Sequence, residues 1–98
     1  MNDNKACLDF GGNELHKGNC VIRAVHRGSS GDRLEWGVIE TEPVSNGQGW
    51  SFRLRSYCDY DKSFKRPGYG TKARAMLRVD WVDVPKEICR AYLDTKND

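Results

Sequence analysis

The sequence predicts an α+β fold, an antiparallel sheet of four to five strands followed by one C-terminal helix, and three features carry that reading. Trp50–Tyr57 and Lys72–Val82 alternate apolar and polar residues, a period of two that sends successive side chains to opposite faces of a strand. Asn46-Gly47 lies between two strand-like segments, and both residue types tolerate the positive φ of a tight hairpin. Beyond Val82, the residues Val84, Ile88, Cys89, Tyr92 and Leu93 recur at helical spacing. The order β-β-β-β-β-α describes a meander with the helix over one face or end of the sheet. A sheet curled into a small SH3-like barrel is the variant that ranks second.

In chain order, Lys5–Phe10 reads as a short edge strand with Ala6, Leu8 and Phe10 on one face, closed by a turn at Gly11-Gly12-Asn13. Asn19–Arg27 is rich in β-branched residues and stops at Gly28, so it reads as a strand, and Gly28–Asp32 as a loop. Arg33–Val44 is the longest strand candidate, with Leu34, Trp36 and Val38 on one face and Glu35, Ile39 and Thr41 on the other. Gly37 marks a bulge or a close backbone approach, and Pro43 ends regular pairing or lies on an edge. Trp50–Tyr57 returns antiparallel. Cys58–Thr71 runs without a period, a loop long enough to suggest a functional or mobile segment. After strand Lys72–Val82, a helix over Asp83–Leu93 is capped by Asp83 and carries Pro85 in its first turn, while Thr95–Asp98 frays. The expected core joins Trp36, Phe52, Leu54, Leu77, Val79, Trp81, Ile88 and Tyr92.

Ninety-eight residues suit one domain, 1–98, with one core. Hydrophobic residues at 38% and charged ones at 31% exclude both a disordered and a membrane-embedded chain. The start lacks the basic and apolar regions of a secretory signal, so a soluble, cytoplasmic protein is expected. In a reducing compartment Cys7, Cys20, Cys58 and Cys89, which form no CxxC pair, serve as small hydrophobes with free thiols. No cofactor is implied.

The net charge of +2 conceals a strong asymmetry. Residues 53–78 hold eight basic and two acidic residues, a local charge of +6, whereas the segments on either side are each at −2. Alternation puts Arg53, Arg55, Arg74 and Arg78 on the polar faces of two strands, which together would form one cationic sheet face. The neighbouring loop interleaves Lys62, Lys65, Arg66 and Lys72 with Tyr60, Phe64 and Tyr69, and Tyr57 flanks it. Arginine presents planar donors to phosphate, lysine a point charge, and aromatic rings a surface on which bases stack. The bland reading is a solvated face whose arginines pair with Glu40, Glu42 or Asp80 across strands. No RRM, KH or zinc-finger string is present.

Chemistry beyond binding has little support. Arg66–Gly70 (RPGYG) lacks the Gly-Lys-Ser/Thr ending of a phosphate loop and reads as a turn, with Gly68 supplying a positive φ. Asp59 and Asp61 are too few for a hard cation and serve better as turn formers. His16 and Cys20, with Cys7 upstream, match no common zinc spacing. His26 and a cysteine could make a nucleophile–base pair, but nothing in the sequence brings them together. The preferred reading is therefore a non-enzymatic binding module that holds an anionic partner, nucleic acid first. A small protein-interaction or inhibitor module, of the kind a mobile element encodes, docking on an acidic protein surface is the alternative. A small-ligand-binding barrel or homo-oligomer comes third.

Overall fold

The computed structural model describes residues 6–26, 31–45, 47, 49–70 and 72–96. Among them, one antiparallel sheet contains β1 (Cys20–His26), β2 (Asp32–Ile39), β3 (Val44–Ser45), β4 (Trp50–Cys58), β5 (Ser63–Phe64), β6 (Gly68–Gly70) and β7 (Met76–Val79), and α1 (Lys86–Lys96) follows. β4 is paired along both edges. On one side run β2 and then β3, with Ile39 opposite Leu54 and Val44 opposite Ser51. On the other run β5 and β6, with Tyr57 opposite Phe64 and Arg53 opposite Tyr69. β1 continues the sheet beyond β2, and β7 lies beyond β1. The sheet stays open, with β7 on one flank and β5 and β6 on the other, so the barrel variant is not adopted.

Both faces of the sheet are apolar at its centre, and each has its own cover. Neighbouring residues Cys20 and Val21, and likewise Val38 and Ile39, are buried on opposite faces, as alternation requires. On the first face Val21, Ile39, Phe52, Leu54 and Met76 pack under Cys7 and Leu15 of the N-terminal segment and Ala73 of a 3-10 turn. On the second, Cys20, Val38, Tyr57 and Phe64 pack under Val84 and Ile88, with Trp36, Val79, Trp81 and Tyr92 half-buried around them. Gly37 keeps regular register opposite Val21 and Ser56, without a bulge. What a Cβ there would crowd is a side chain, Leu54 Cδ1 at 3.1 Å, more than the backbone, whose nearest atom is the Arg55 carbonyl oxygen at 3.4 Å.

Several elements differ from the sequence reading. Leu8 and Glu14 form an isolated bridge instead of a strand, and Cys7 and Asp9 turn inward while Phe10 is exposed. The helix starts at Lys86, since Trp81–Asp83 forms a separate 3-10 turn ahead of Pro85. Cys58–Thr71 is not one loop, because β5 and β6 pair back onto β4 through two and three residues, too few to show a period. Lys72–Val82 is a strand only at Met76–Val79, as residues 73–75 are a 3-10 turn. Met76 is accordingly 1% exposed and Leu77 42% exposed, the reverse of the expected core assignment. The cause is that both faces are covered: the N-terminal lap buries Met76, while α1 reaches only the Val79 end of the opposite face. The readings at Lys5, Arg27, Gly28–Ser30, Asn46, Thr71 and Asn97–Asp98 lie outside the described residues. Among those described, no helix is long and apolar enough to cross a membrane.

One buried carboxylate holds the N-terminal cover in place. Asp9 Oδ1 accepts a hydrogen bond from the Asn13 amide (2.8 Å), and Oδ2 accepts from Asn13 Nδ2 (3.2 Å) and from the Arg78 amide of β7 (2.7 Å). The Phe10 amide donates to the Met76 carbonyl at 2.8 Å, so the segment also closes the outer edge of β7. Burial by itself raises the Asp9 pKa. The amides of Arg78, Asn13 and Gly11 and the Asn13 side chain outweigh it and hold the carboxyl below its ordinary value.

The packing can be tested at two points. Met76→Ala should cost about 2–5 kcal/mol and Leu77→Ala about 1 kcal/mol or less by chemical denaturation, and equal costs would refute the register. Asp9→Asn should remove a stabilisation that is complete above the ordinary carboxylate pKa of about 4 and lost as pH falls through the lower folded value. Denaturation midpoints of wild type and variant should therefore converge in acid, and a gap that stays constant would show that Asp9 does not titrate with folding.

Candidate functional site

Residues 53, 55 and 57 of β4 all point to the helix side of the sheet, and their fates differ with distance from α1. Tyr57 is 6% exposed and Phe64, opposite it on β5, 7%. Their rings meet edge to face at 5.3 Å, Phe64 meets Tyr92 of α1 at 5.4 Å, and Tyr92 stacks on Trp81 at 5.5 Å. This chain of rings joins helix to sheet. Tyr57 and Phe64, stacking platforms by the sequence reading, are therefore core anchors with no face free for a base.

Arg55 lies next to this chain, largely buried. Its Nη1 donates to the Lys65 carbonyl at 3.1 Å, and its Nε sits 3.4 Å from Glu40 Oε2. The distance makes an ion pair, but Nε is out of line for a hydrogen bond. The Tyr92 hydroxyl donates to the same Glu40 oxygen at 3.0 Å. Burial, with the Glu40 carboxylate beside it, pushes the Tyr92 phenol up to about 12. Arg55 thus ties the 58–67 segment to β4 and to the helix, and it does not stand on a free surface.

Arg53, two residues nearer the start of the strand, is exposed; its Nη1 donates a long hydrogen bond to the Pro67 carbonyl (3.5 Å), and its guanidinium lies 5.0 Å from the centre of the Tyr69 ring. Tyr69 stands directly opposite it on β6, between two glycines, and is 77% exposed. Gly68 is part of this strand and supplies no positive φ. The β4–β5 turn is closed by the Lys62 amide on the Cys58 carbonyl at 2.7 Å, with Lys62 itself at φ 56. Lys62, Lys65 and Arg66 are exposed along this flank, as is Tyr60, while Asp59 faces Arg33 at 3.5 Å. Lys72 and Arg74 are exposed at the 3-10 turn that follows β6. Arg78 departs from the set, since its Nη1 donates to the Glu14 carbonyl at 3.1 Å and its amide to Asp9. The four strand arginines do not share one face. The exposed cations form a band along the β4–β6 flank instead.

Trp50 has only a packing role in the sequence reading, yet it is half-buried and lines an open cleft of about 570 Å³ with Lys72, Arg74, Ala73, Ala75, Gly49, Ala6 and Leu8. No sequence pattern marks this cleft, because its walls come from segments far apart in the chain. A second cleft, of about 620 Å³, opens around Arg23, Glu35 and Ser56. There Arg23 Nη2 donates to Glu35 Oε1 at 2.8 Å and to Ser56 Oγ at 3.3 Å.

The metal reading gains nothing from the geometry of the described residues, and the side chain of His26, the base in the nucleophile–base reading, lies outside them. Cys7 and Cys20 are buried on opposite faces, and exposed His16 sits between Glu42 (3.1 Å) and Glu14 (3.0 Å), whose carboxylates raise its pKa. Among the described residues no group of three or more His, Cys, Asp or Glu is placed to hold a metal ion. Burial, with the Cys89 thiol nearby, pushes Cys20 up to about 12, and burial also raises Cys7, so neither is an activated nucleophile. Comparison of the chain with protein-family models, with curated proteins and with solved structures finds no match in any of the three.

The two β4 arginines should behave differently. Arg55→Ala should lower stability by about 1–3 kcal/mol, because Glu40 loses its counter-charge and the Lys65 carbonyl its donor. Arg53→Ala should stay within about 0.5 kcal/mol of wild type, as an exposed substitution. Chemical denaturation of both variants decides it, and equal effects would contradict their separate environments.

Proposed function

We propose that this chain is a small non-enzymatic binding module that holds nucleic acid on the exposed basic and aromatic flank of β4, β5 and β6. The observation that carries the reading is the Arg53–Tyr69 pair, an exposed ring beneath an exposed guanidinium. Around it the exposed Lys62, Lys65 and Arg66 continue the charge, and Lys72 and Arg74 extend it past β6. Exposed cations can neutralise phosphates and release counterions, and a ring held in place offers a stacking surface at low entropic cost. Arg55 and Arg78, already engaged in the fold, drop out of the binding surface, as do Tyr57 and Phe64.

The test is a titration of labelled single- and double-stranded oligonucleotides at several salt concentrations. Removing Arg53, Arg66 or Lys72 should weaken binding at low salt and flatten the slope of log affinity against log salt by about 0.7–0.9 for each phosphate left without its cation. Tyr69→Ala should weaken single-strand binding with little change of slope, because stacking releases few ions. An acidic protein surface would attract the same cations. Absence of oligonucleotide binding even at low salt would overturn the nucleic-acid reading in favour of that partner.

A further inference from the structure

Building on the nucleic-acid reading, we propose that the cleft beside Trp50 receives an unpaired nucleobase, so that the module selects single strands over duplex. Trp50 opens β4 and is fixed by its pairing with Ser45 and by packing against the first core cluster, while part of it remains exposed in the cleft. The 3-10 turn contributes the small side chains of Ala73 and Ala75, and a Cβ added at Gly49 would meet nothing within 4 Å, so the site is not crowded. Its volume of about 570 Å³ lies in the range of small-molecule sites.

Three properties of the cleft point to a base and its phosphate. An indole supplies the strongest π surface among side chains for stacking. Lys72 and Arg74, both exposed, place two positive charges at the same cleft, and none of the described lining residues is acidic. Trp50 packs on the N-terminal-lap face while Arg53 and Tyr69 lie on the helix face, so a strand held at Tyr69 would pass round the β6 edge to reach Lys72, Arg74 and the cleft. A base within a duplex keeps both faces in the stack and reaches such a site only after extrusion, whereas an unpaired base enters without that cost.

Binding of three probes tests this: oligo(dT), the same strand annealed to oligo(dA), and an abasic strand of equal length. Trp50→Leu preserves apolar packing but removes the ring, and Ala75→Leu fills the cleft while leaving the ring and both cations in place. Each should weaken oligo(dT) binding by about 5- to 150-fold, the equivalent of one stacked base. Duplex and abasic affinities and the salt slope should stay as in wild type. Wild-type affinity for oligo(dT) in both variants, or an equal loss on the abasic strand, would overturn the base pocket and leave the cationic surface standing. Failure of the wild-type protein to bind any of the three at low salt would overturn both.

Discussion

A sheet whose two faces are both apolar at the centre has to be covered twice, and in a chain of 98 residues the covers are short segments fixed by a few polar contacts. Asp9 supplies the buried one for one face. Its carboxylate, buried between the 9–13 turn and the Arg78 amide, joins the N-terminal lap to β7 and gives inward amides cut off from water the partner they would otherwise lack. Glu40 has the corresponding place on the other face, where it receives the Tyr92 hydroxyl of α1 and the charge of Arg55. Each carboxylate anchors a cover that an apolar stripe alone would leave free to slide.

The position of the covers determines which charges are left for a partner. α1 ends the exposure of β4 at Tyr57 and draws Arg55 into its underside, while the N-terminal lap engages Arg78. What remains exposed is a flank, not a face: Arg53 over Tyr69, the cations of the 62–66 stretch, and Lys72 and Arg74 on their turn. Phe64 illustrates the division of labour within one stretch of sequence. It anchors to Tyr57 and Tyr92, and that anchorage is what holds the adjacent lysines in a defined place.

Much of this was legible in the order of residues. Alternation alone assigned Phe52 and Leu54 to one face and Arg53 and Arg55 to the other, the strand-like segments on either side of residues 46–49 announced the β3–β4 pairing, and Ile88 and Tyr92 announced a packed helix. Local periodicity and residue chemistry suffice for these, since each depends on neighbours a few positions away. The concentration of positive charge between residues 53 and 78 was likewise legible, being a property of composition.

Only the tertiary structure decided what each face meets. Alternation separates Met76 from Leu77 but cannot say which is buried, because that depends on a lap from the far end of the chain in one case and on how far a helix reaches in the other. It cannot tell Arg53 from Arg55, which have the same pattern and differ only in lying beyond or beneath α1. Nor can it assemble Trp50 with Lys72 and Arg74, which the return of β6 along β4 brings to one cleft. The sequence by itself determined strands, helix and local charge, because those follow from spacing along the chain. Burial, pairing and the boundaries of the candidate site arise from segments that meet through space, and spacing carries no record of them.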